Sequence, residues 1–322
     1  MDDVMLNQKI ESDYSHITGL AVQKDCVTVY ERYYRGTMPE KAAHVFSVTK
    51  SITSILIGMA MEQGAIRNVD QNVLDFFPEY RVKRGERTIE NVTIKNLLTM
   101  TAPYKYRSEP YTKVYGSEDW TKAALDLLGG KGAIGEFRYS TVGAQILSGI
   151  IEHAVGTSVI DFANKNLFHP LGIHDAKPIF VADKEAHLGF IKEQNAEGWI
   201  VDPNGVAAAG WGLMLCPRDM LKIGQLYLNK GVWDGKQLLS ESWIMESTRT
   251  QANWKEYAYG YLWWNLDQQK PGCFAAMGDS GNIIYCDPKE KIVIAITGSF
   301  KPRAKLSLDL ISDQIYPMIF GE

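Results

Sequence analysis

Ser47 and Lys50 stand three residues apart in Phe46-Ser47-Val48-Thr49-Lys50, the only Ser-x-x-Lys spacing in the chain. A serine hydroxyl is a weak nucleophile until a neighbouring group takes its proton. On a helix, residues three apart share a face, so the Lys50 amine would reach the Ser47 hydroxyl. Lysine acts as a base only where burial or nearby positive charge brings its pKa toward neutrality, and most residues from Ile52 to Met61 are apolar. A helix beginning at Ser47 would also offer favourable potential to an oxyanion forming there.

Two further segments carry suitable groups. Phe137-Arg138-Tyr139-Ser140-Thr141 presents a phenol just ahead of a helical pattern that begins near Val142. Gly278-Asp279-Ser280-Gly281-Asn282 leads into a strand pattern over 282–286, and its glycines would let backbone N–H groups approach a substrate oxygen. Each has a plainer reading when taken singly: chance spacing, a half-buried tyrosine, a turn before a strand.

The elements that must position these groups fall into three blocks. Residues 17–22 and 26–34 read as a β-hairpin joined by Gln23-Lys24-Asp25. From Ser47 an apolar helix follows, with Gly64 as its C-cap. From about 68 to 255 helical periodicity dominates, with segments at 94–100, 118–128, 142–155, 159–167 and 217–228. Strand patterns then return at 257–264, 282–286 and 291–297, the last two flanking the turn Asp287-Pro288-Lys289-Glu290, and a helix over 302–319 closes the chain. The expected organisation is α+β, with residues 1–67 and 256–322 forming a sheet domain and 68–255 a helical one.

Composition excludes several partners. With 322 residues, 45% of them hydrophobic, the chain can bury a large core, and its net charge of −4 with dispersed basic residues leaves no footprint for nucleic acid or an anionic membrane. Met1-Asp2-Asp3-Val4-Met5 lacks the basic start and apolar run of a secretory signal, so a cytoplasmic location is expected. Cys26, Cys216, Cys273 and Cys286 are widely spread and read as structural thiols. His16, His44, His153, His169, His174 and His187 form no metal-binding helix pair, so neither a metal nor another cofactor is expected.

Ser47-Val48-Thr49-Lys50, Tyr139-Ser140-Thr141 and Asp279-Ser280-Gly281 occur in the order of three elements of the penicillin-recognising, β-lactamase-like serine hydrolases. The chain resembles class C β-lactamases, family VIII carboxylesterases and D-aminopeptidases over roughly residues 17–298, including Phe137-Arg138-Tyr139-Ser140, Pro170-Leu171-Gly172 and Gly210-Trp211-Gly212-Leu213 followed by Arg218-Asp219-Met220. The resemblance implies a five-stranded antiparallel sheet built from both ends of the chain, an inserted helical lobe and an active site in the cleft between them. It also implies acylation of Ser47, proton handling shared by Lys50 and Tyr139, and an oxyanion held by the backbone N–H groups of Ser47 and Asn282. Ser280, Gly281, Asp279 and Thr141 would line the substrate.

This chain departs from the family pattern twice. Thr141 replaces the usual asparagine, an amide that would orient the lysine and bind a substrate carbonyl. Asp279 replaces a cation that attracts the substrate carboxylate of β-lactams. Like charges ~4 Å apart at an effective dielectric of ~20 repel by about 4 kcal/mol. The expected function is therefore a serine hydrolase of small esters, amides or short peptides with weak or no β-lactamase activity. The rival readings are a catalytically degenerate module that binds a peptide or cell-wall fragment, and a true class C-like β-lactamase. A chymotrypsin-like protease built on Ala42-Ala43-His44 and Gly278-Asp279-Ser280-Gly281 is disfavoured because the helical patterns leave no room for two β-barrels. The loop aromatics Tyr104, Tyr106, Tyr111, Tyr115 and Trp120 fit either a substrate-lining lid or simple packing.

Overall fold

The computed structural model describes residues 3–181, 185–186, 189–190 and 197–321; His187 lies outside them. Its frame is an antiparallel sheet of β1 (Ile17–Lys24), β2 (Val27–Tyr33), β3 (Ala252–Trp254), β4 (Tyr257–Tyr259), β5 (Trp264–Asn265), β6 (Phe274–Met277), β7 (Ile283–Asp287) and β8 (Ile292–Gly298), in spatial order β2-β1-β8-β7-β6-β5-β4-β3. Four of the expected strands are the first four in that order, and the fifth place is taken by β6, a segment the sequence had not marked as a strand. Three short strands extend the sheet beyond β6, and the single expected strand over 257–264 is instead two strands, broken where Leu262 takes a positive φ.

The opening hairpin turns one residue later than its sequence suggested. Asp25 and Cys26 both adopt positive φ, as a two-residue type I′ turn requires, which leaves Cys26 exposed outside the strand. The core strands β7 and β8 are buried along their whole lengths because both faces are covered. On one face lies the helix Val4–Asp13, a segment given no element in the sequence reading, which buries Leu6 and Ile10 together with the terminal helical segments from Ser307 to Phe320. On the other lies the helix Pro217–Leu228, so close that a Cβ at Gly224 would stand 2.4 Å from Val293. That helix was expected in the inserted lobe; its apolar face binds it to the sheet instead.

The helix Val48–Glu62 is buried on every side through Ala60, as its unbroken apolar run demands, and ends at Gly64 with φ +73°. It packs on β6 and on Thr141–Val155, the long helix of the helical region. No single helix among the described residues is long and apolar enough to cross a membrane.

Candidate active site

Phe46 sits in the left-handed region at φ +48° and turns the chain sharply from Val45 into the helix that starts at Val48. Ser47 therefore occupies the helix entrance and is partly exposed, while its neighbours on both sides are buried. Its backbone N–H has no protein acceptor among the described residues. The chain of β6 passes directly beside it: a Cβ on Gly278 would lie 3.1 Å from the Ser47 nitrogen and 2.3 Å from the Val45 carbonyl oxygen, so only glycine fits there.

One turn into the helix, Lys50 is 1% exposed. Its Nζ lies 3.0 Å from Ser47 Oγ, 3.1 Å from Thr141 Oγ1 and 2.8 Å from the Gly210 carbonyl oxygen. Burial pulls its pKa down from 10.5 to about 7, against the opposing pull of the Glu109 and Asp279 carboxylates. The hydroxyl of Thr141 thus supplies an acceptor to the lysine at the position where the resembled family usually carries an amide.

The Ser47 side chain draws the pKa of the Tyr139 phenol down against its burial, and Lys50 Nζ lies 4.9 Å from the Tyr139 ring centroid. The ring is held against Trp264 and Tyr259 at 6.0 and 6.2 Å between centroids. Burial pushes the phenol well above its ordinary pKa, so it stays protonated at neutral pH. Directly after it, Ser140 caps the helix Thr141–Val155 by accepting from Gly143 N at 2.7 Å. Glu109 braces the same helix start, accepting from Val142 N at 2.8 Å and from Ser140 Oγ at 2.7 Å.

The other expected site residues divide. Asp279, the residue after Gly278, is exposed, and its charge acts on Lys50, Tyr139 and Tyr111. Ser280, Gly281 and Asn282 are not brought to Ser47. Ser280 takes φ +58°, which reverses the chain, and its hydroxyl accepts from Lys301 N at 2.9 Å. The Gly281 carbonyl accepts from Ser307 Oγ at 2.6 Å. Asn282 is buried, with its side chain bound to both backbone groups of Gly298 and its own N–H turned to the Asp279 carbonyl at 3.4 Å. Asn282 is therefore not positioned as an oxyanion donor. His44 accepts from Gly212 N at 3.0 Å, a bond that ties two loops together.

Two groups the sequence reading did not assign also matter here. Gly210 had entered only through the resemblance, yet its carbonyl is the nearest of the Lys50 acceptors; a Cβ there would stand 2.9 Å from Thr141 Cγ2 and 3.2 Å from Lys50 Nζ. Met277 is opposite Ile283 in the ladder, one place before a Gly278 N–H that bonds the Asn282 carbonyl, so its own N–H points away from β7. Of the aromatic loop, Tyr104, Tyr115 and Trp120 are buried in the core, and Tyr115 donates to the Thr141 carbonyl at 3.0 Å. Packing is their role, while Tyr106 and Tyr111 remain partly exposed.

A large antiparallel sheet covered by helices, with a serine at one helix entrance, a buried lysine a turn further on and a tyrosine ahead of the next long helix, defines a class, and the chain belongs to the Beta-lactamase family, whose model matches residues 7–309. It is similar to the 6-aminohexanoate-dimer hydrolase of Paenarthrobacter ureafaciens, with 23% identity over 84% of this chain and 70% of that one. Among solved structures, the octameric penicillin-binding protein homologue from Pyrococcus abyssi superposes with a TM-score of 0.75 at 20% identity, covering 100% of this chain and 78% of that one. The penicillin binding protein from Bacillus halodurans gives 0.70 at 16% identity, covering 97% and 99%. The fold is thus that of β-lactamases and transpeptidases, and the chain is of hydrolase lineage.

Proposed function

We propose that the protein is a serine hydrolase that cleaves small esters or amides through an acyl-enzyme on Ser47, with little or no β-lactamase activity. The observation that carries this reading is a fully buried Lys50 with a pKa of about 7, 3.0 Å from Ser47 Oγ. A neutral amine has two N–H bonds and one lone pair. Gly210 and Thr141 take the former, and the lone pair is left for the Ser47 proton. A base poised near neutrality is the efficient one.

Lys50 removes that proton as Oγ bonds to the substrate carbonyl carbon and the carbonyl π pair moves onto oxygen. The N–H groups of Ser47 and Met277 receive the oxyanion. Lys50 and Tyr139 have pKa values pushed in opposite directions, which assigns the base role to the lysine and the acid role to the phenol. Tyr139 protonates the leaving alkoxide or amine as the C–O or C–N bond breaks, and recovers a proton from the Lys50 ammonium, which thereby returns to its neutral form. Water then repeats the sequence on the acyl-enzyme and restores Ser47. The relative named as a 6-aminohexanoate-dimer hydrolase favours the amide branch. Asp279 disfavours substrates whose carboxylate must lie beside it.

A fluorophosphonate probe tests this directly: wild type should be labelled at Ser47 and Ser47→Ala should not. The purified protein should hydrolyse p-nitrophenyl esters or amino-acid amides far better than benzylpenicillin. An unlabelled Ser47 would return the chain to a binding module without turnover, and efficient benzylpenicillin cleavage would make it a β-lactamase.

A further inference from the structure

Tyr139 stands between two residues that are both bound to one loop. On its N-terminal side the Arg138 guanidinium lies 4.5 Å from the Tyr106 ring centroid and donates to the carbonyls of Tyr104 at 3.3 Å, of Arg107 at 3.2 Å and of Tyr106. On its C-terminal side the fully buried Ser140 donates its hydroxyl proton to Glu109 Oε1 at 2.7 Å. A carboxylate only accepts, so that proton is committed, and Tyr106, 2.7 Å from Ser140 Oγ, is the donor of the pair. Tyr106 Oη also lies 3.2 Å from Glu109 Oε1. The same oxygen takes Val142 N at 2.8 Å, one of the first-turn N–H groups that a helix cannot satisfy within itself. One carboxylate oxygen thus gathers Tyr106, Ser140 and Val142, and bonds to a charged acceptor are roughly twice as strong as neutral ones. Pro110 directly follows Glu109 and disfavours a helical backbone there, which keeps the carboxylate on the loop instead of in the short helix Tyr111–Tyr115.

Building on the reading of Ser47 as nucleophile and Tyr139 as proton donor, we propose that Glu109 is a positioning residue for the acid step: by pinning Ser140 and the helix start behind it, it fixes where the Tyr139 phenol stands. Glu109 takes no part in the bond changes and acts through the chain on either side of the tyrosine. Trp264 and Tyr259 pack against the ring, but the ring pivots on a Cα whose place is set by Arg138 and Ser140. A displacement of about 1 Å at a reacting group can cost on the order of 100-fold in rate. Length is the critical property of residue 109. An aspartate is a methylene short of the helix start, whereas a glutamine still presents an oxygen to Ser140 Oγ and Val142 N.

The test compares two substrates of one acyl group: an ethyl ester or p-nitroanilide, whose leaving group needs a proton, and the p-nitrophenyl ester, whose phenolate leaves without one. Rates are taken per folded molecule, with the folded fraction set by urea unfolding. Glu109→Ala should lower kcat/KM about 30-fold on the first substrate and less than about fivefold on the second. Glu109→Gln should stay within about fivefold of wild type on the first substrate, while Glu109→Asp, charged but too short, should behave like alanine. In a Tyr139→Phe background the cost of Glu109→Ala should shrink to less than about threefold, because the group it positions is gone. An equal loss on both substrates or in both backgrounds, or an aspartate variant more active than the glutamine one, overturns the inference and leaves the hydrolase intact. Should Glu109→Ala fail to fold, the ranking of glutamine and aspartate decides alone. Wild type that cleaves neither substrate and leaves Ser47 unlabelled removes the nucleophile reading, and this inference with it.

Discussion

The Gly210 carbonyl oxygen lies 2.8 Å from Lys50 Nζ, and a Cβ on Gly210 would crowd both Thr141 Cγ2, at 2.9 Å, and that same amine, at 3.2 Å. The backbone of one loop thus both fixes the base and reserves the space it needs. Gly210→Ala should push Lys50 from Ser47 and lower kcat by about 100-fold or more while destabilising the fold by about 1–3 kcal/mol. Steady-state kinetics on an ester, alongside urea denaturation, would check both; full activity in this variant would show that the lysine's position does not matter.

Thr141→Val keeps the volume and removes the hydroxyl that accepts from Lys50 at 3.1 Å. Losing one hydrogen bond to the charged amine favours the neutral form, so the acidic limb of the kcat/KM profile should move to lower pH. The rate should fall about tenfold, in line with about 1.5 kcal/mol for a bond to a charged group. Thr141→Asn should recover most of the rate.

Activity should rise with pH through about 7, as Lys50 loses its proton and becomes a base. The same group sets a stability trend of known sign. Because its folded pKa of about 7 lies below the ordinary 10.5, the unfolded chain binds more protons between those values, and stability rises with pH across that window. Lys50→Met should abolish activity yet raise stability at pH 7 by roughly 1–4 kcal/mol, an advantage that shrinks as pH approaches 10.5. Thermal unfolding of both proteins from pH 6 to 10 would show it; a gap independent of pH would contradict a buried neutral lysine.

Asn282 holds both backbone groups of Gly298 and the carbonyl of Asp279 from a buried position. Asn282→Ala strands those partners and should cost about 2–4 kcal/mol. At a temperature where the variant remains folded, fluorophosphonate labelling of Ser47 should slow less than in Tyr139→Phe. The opposite ranking would place Asn282 in the chemistry.

In the side-chain part of the site, helical spacing brings Lys50 to Ser47, whereas Tyr139, which taken singly read as an ordinary half-buried tyrosine, was singled out by the family resemblance. The backbone part was not legible in the sequence. A carbonyl such as that of Gly210 exists at every position, and only the folded path selects which one meets the lysine. Residues 280–282 were misplaced because the positive φ of Ser280 reverses the chain, and serine gives little warning of that conformation.

Much the same holds for the fold. β7 and β8 announced themselves through long apolar runs on either side of a turn, and β4 and β5 through the aromatic stretch 257–264, but β3 and β6 are three and four residues long, too short for an alternating pattern to register. The helix Pro217–Leu228 was recognised as a helix and assigned to the wrong neighbour, since amphipathic periodicity marks a buried face and not what covers it.

The pairing of β1 with β8 runs from Ile17 opposite Gly298 to Lys24 opposite Ile292, joining segments that emerge at opposite ends of synthesis. A growing chain therefore carries Ser47 and Lys50 long before the strand that completes their support exists, and such late closure is slow because the entropy of a very large loop must first be lost. Nascent and C-terminally clipped chains should consequently be catalytically silent.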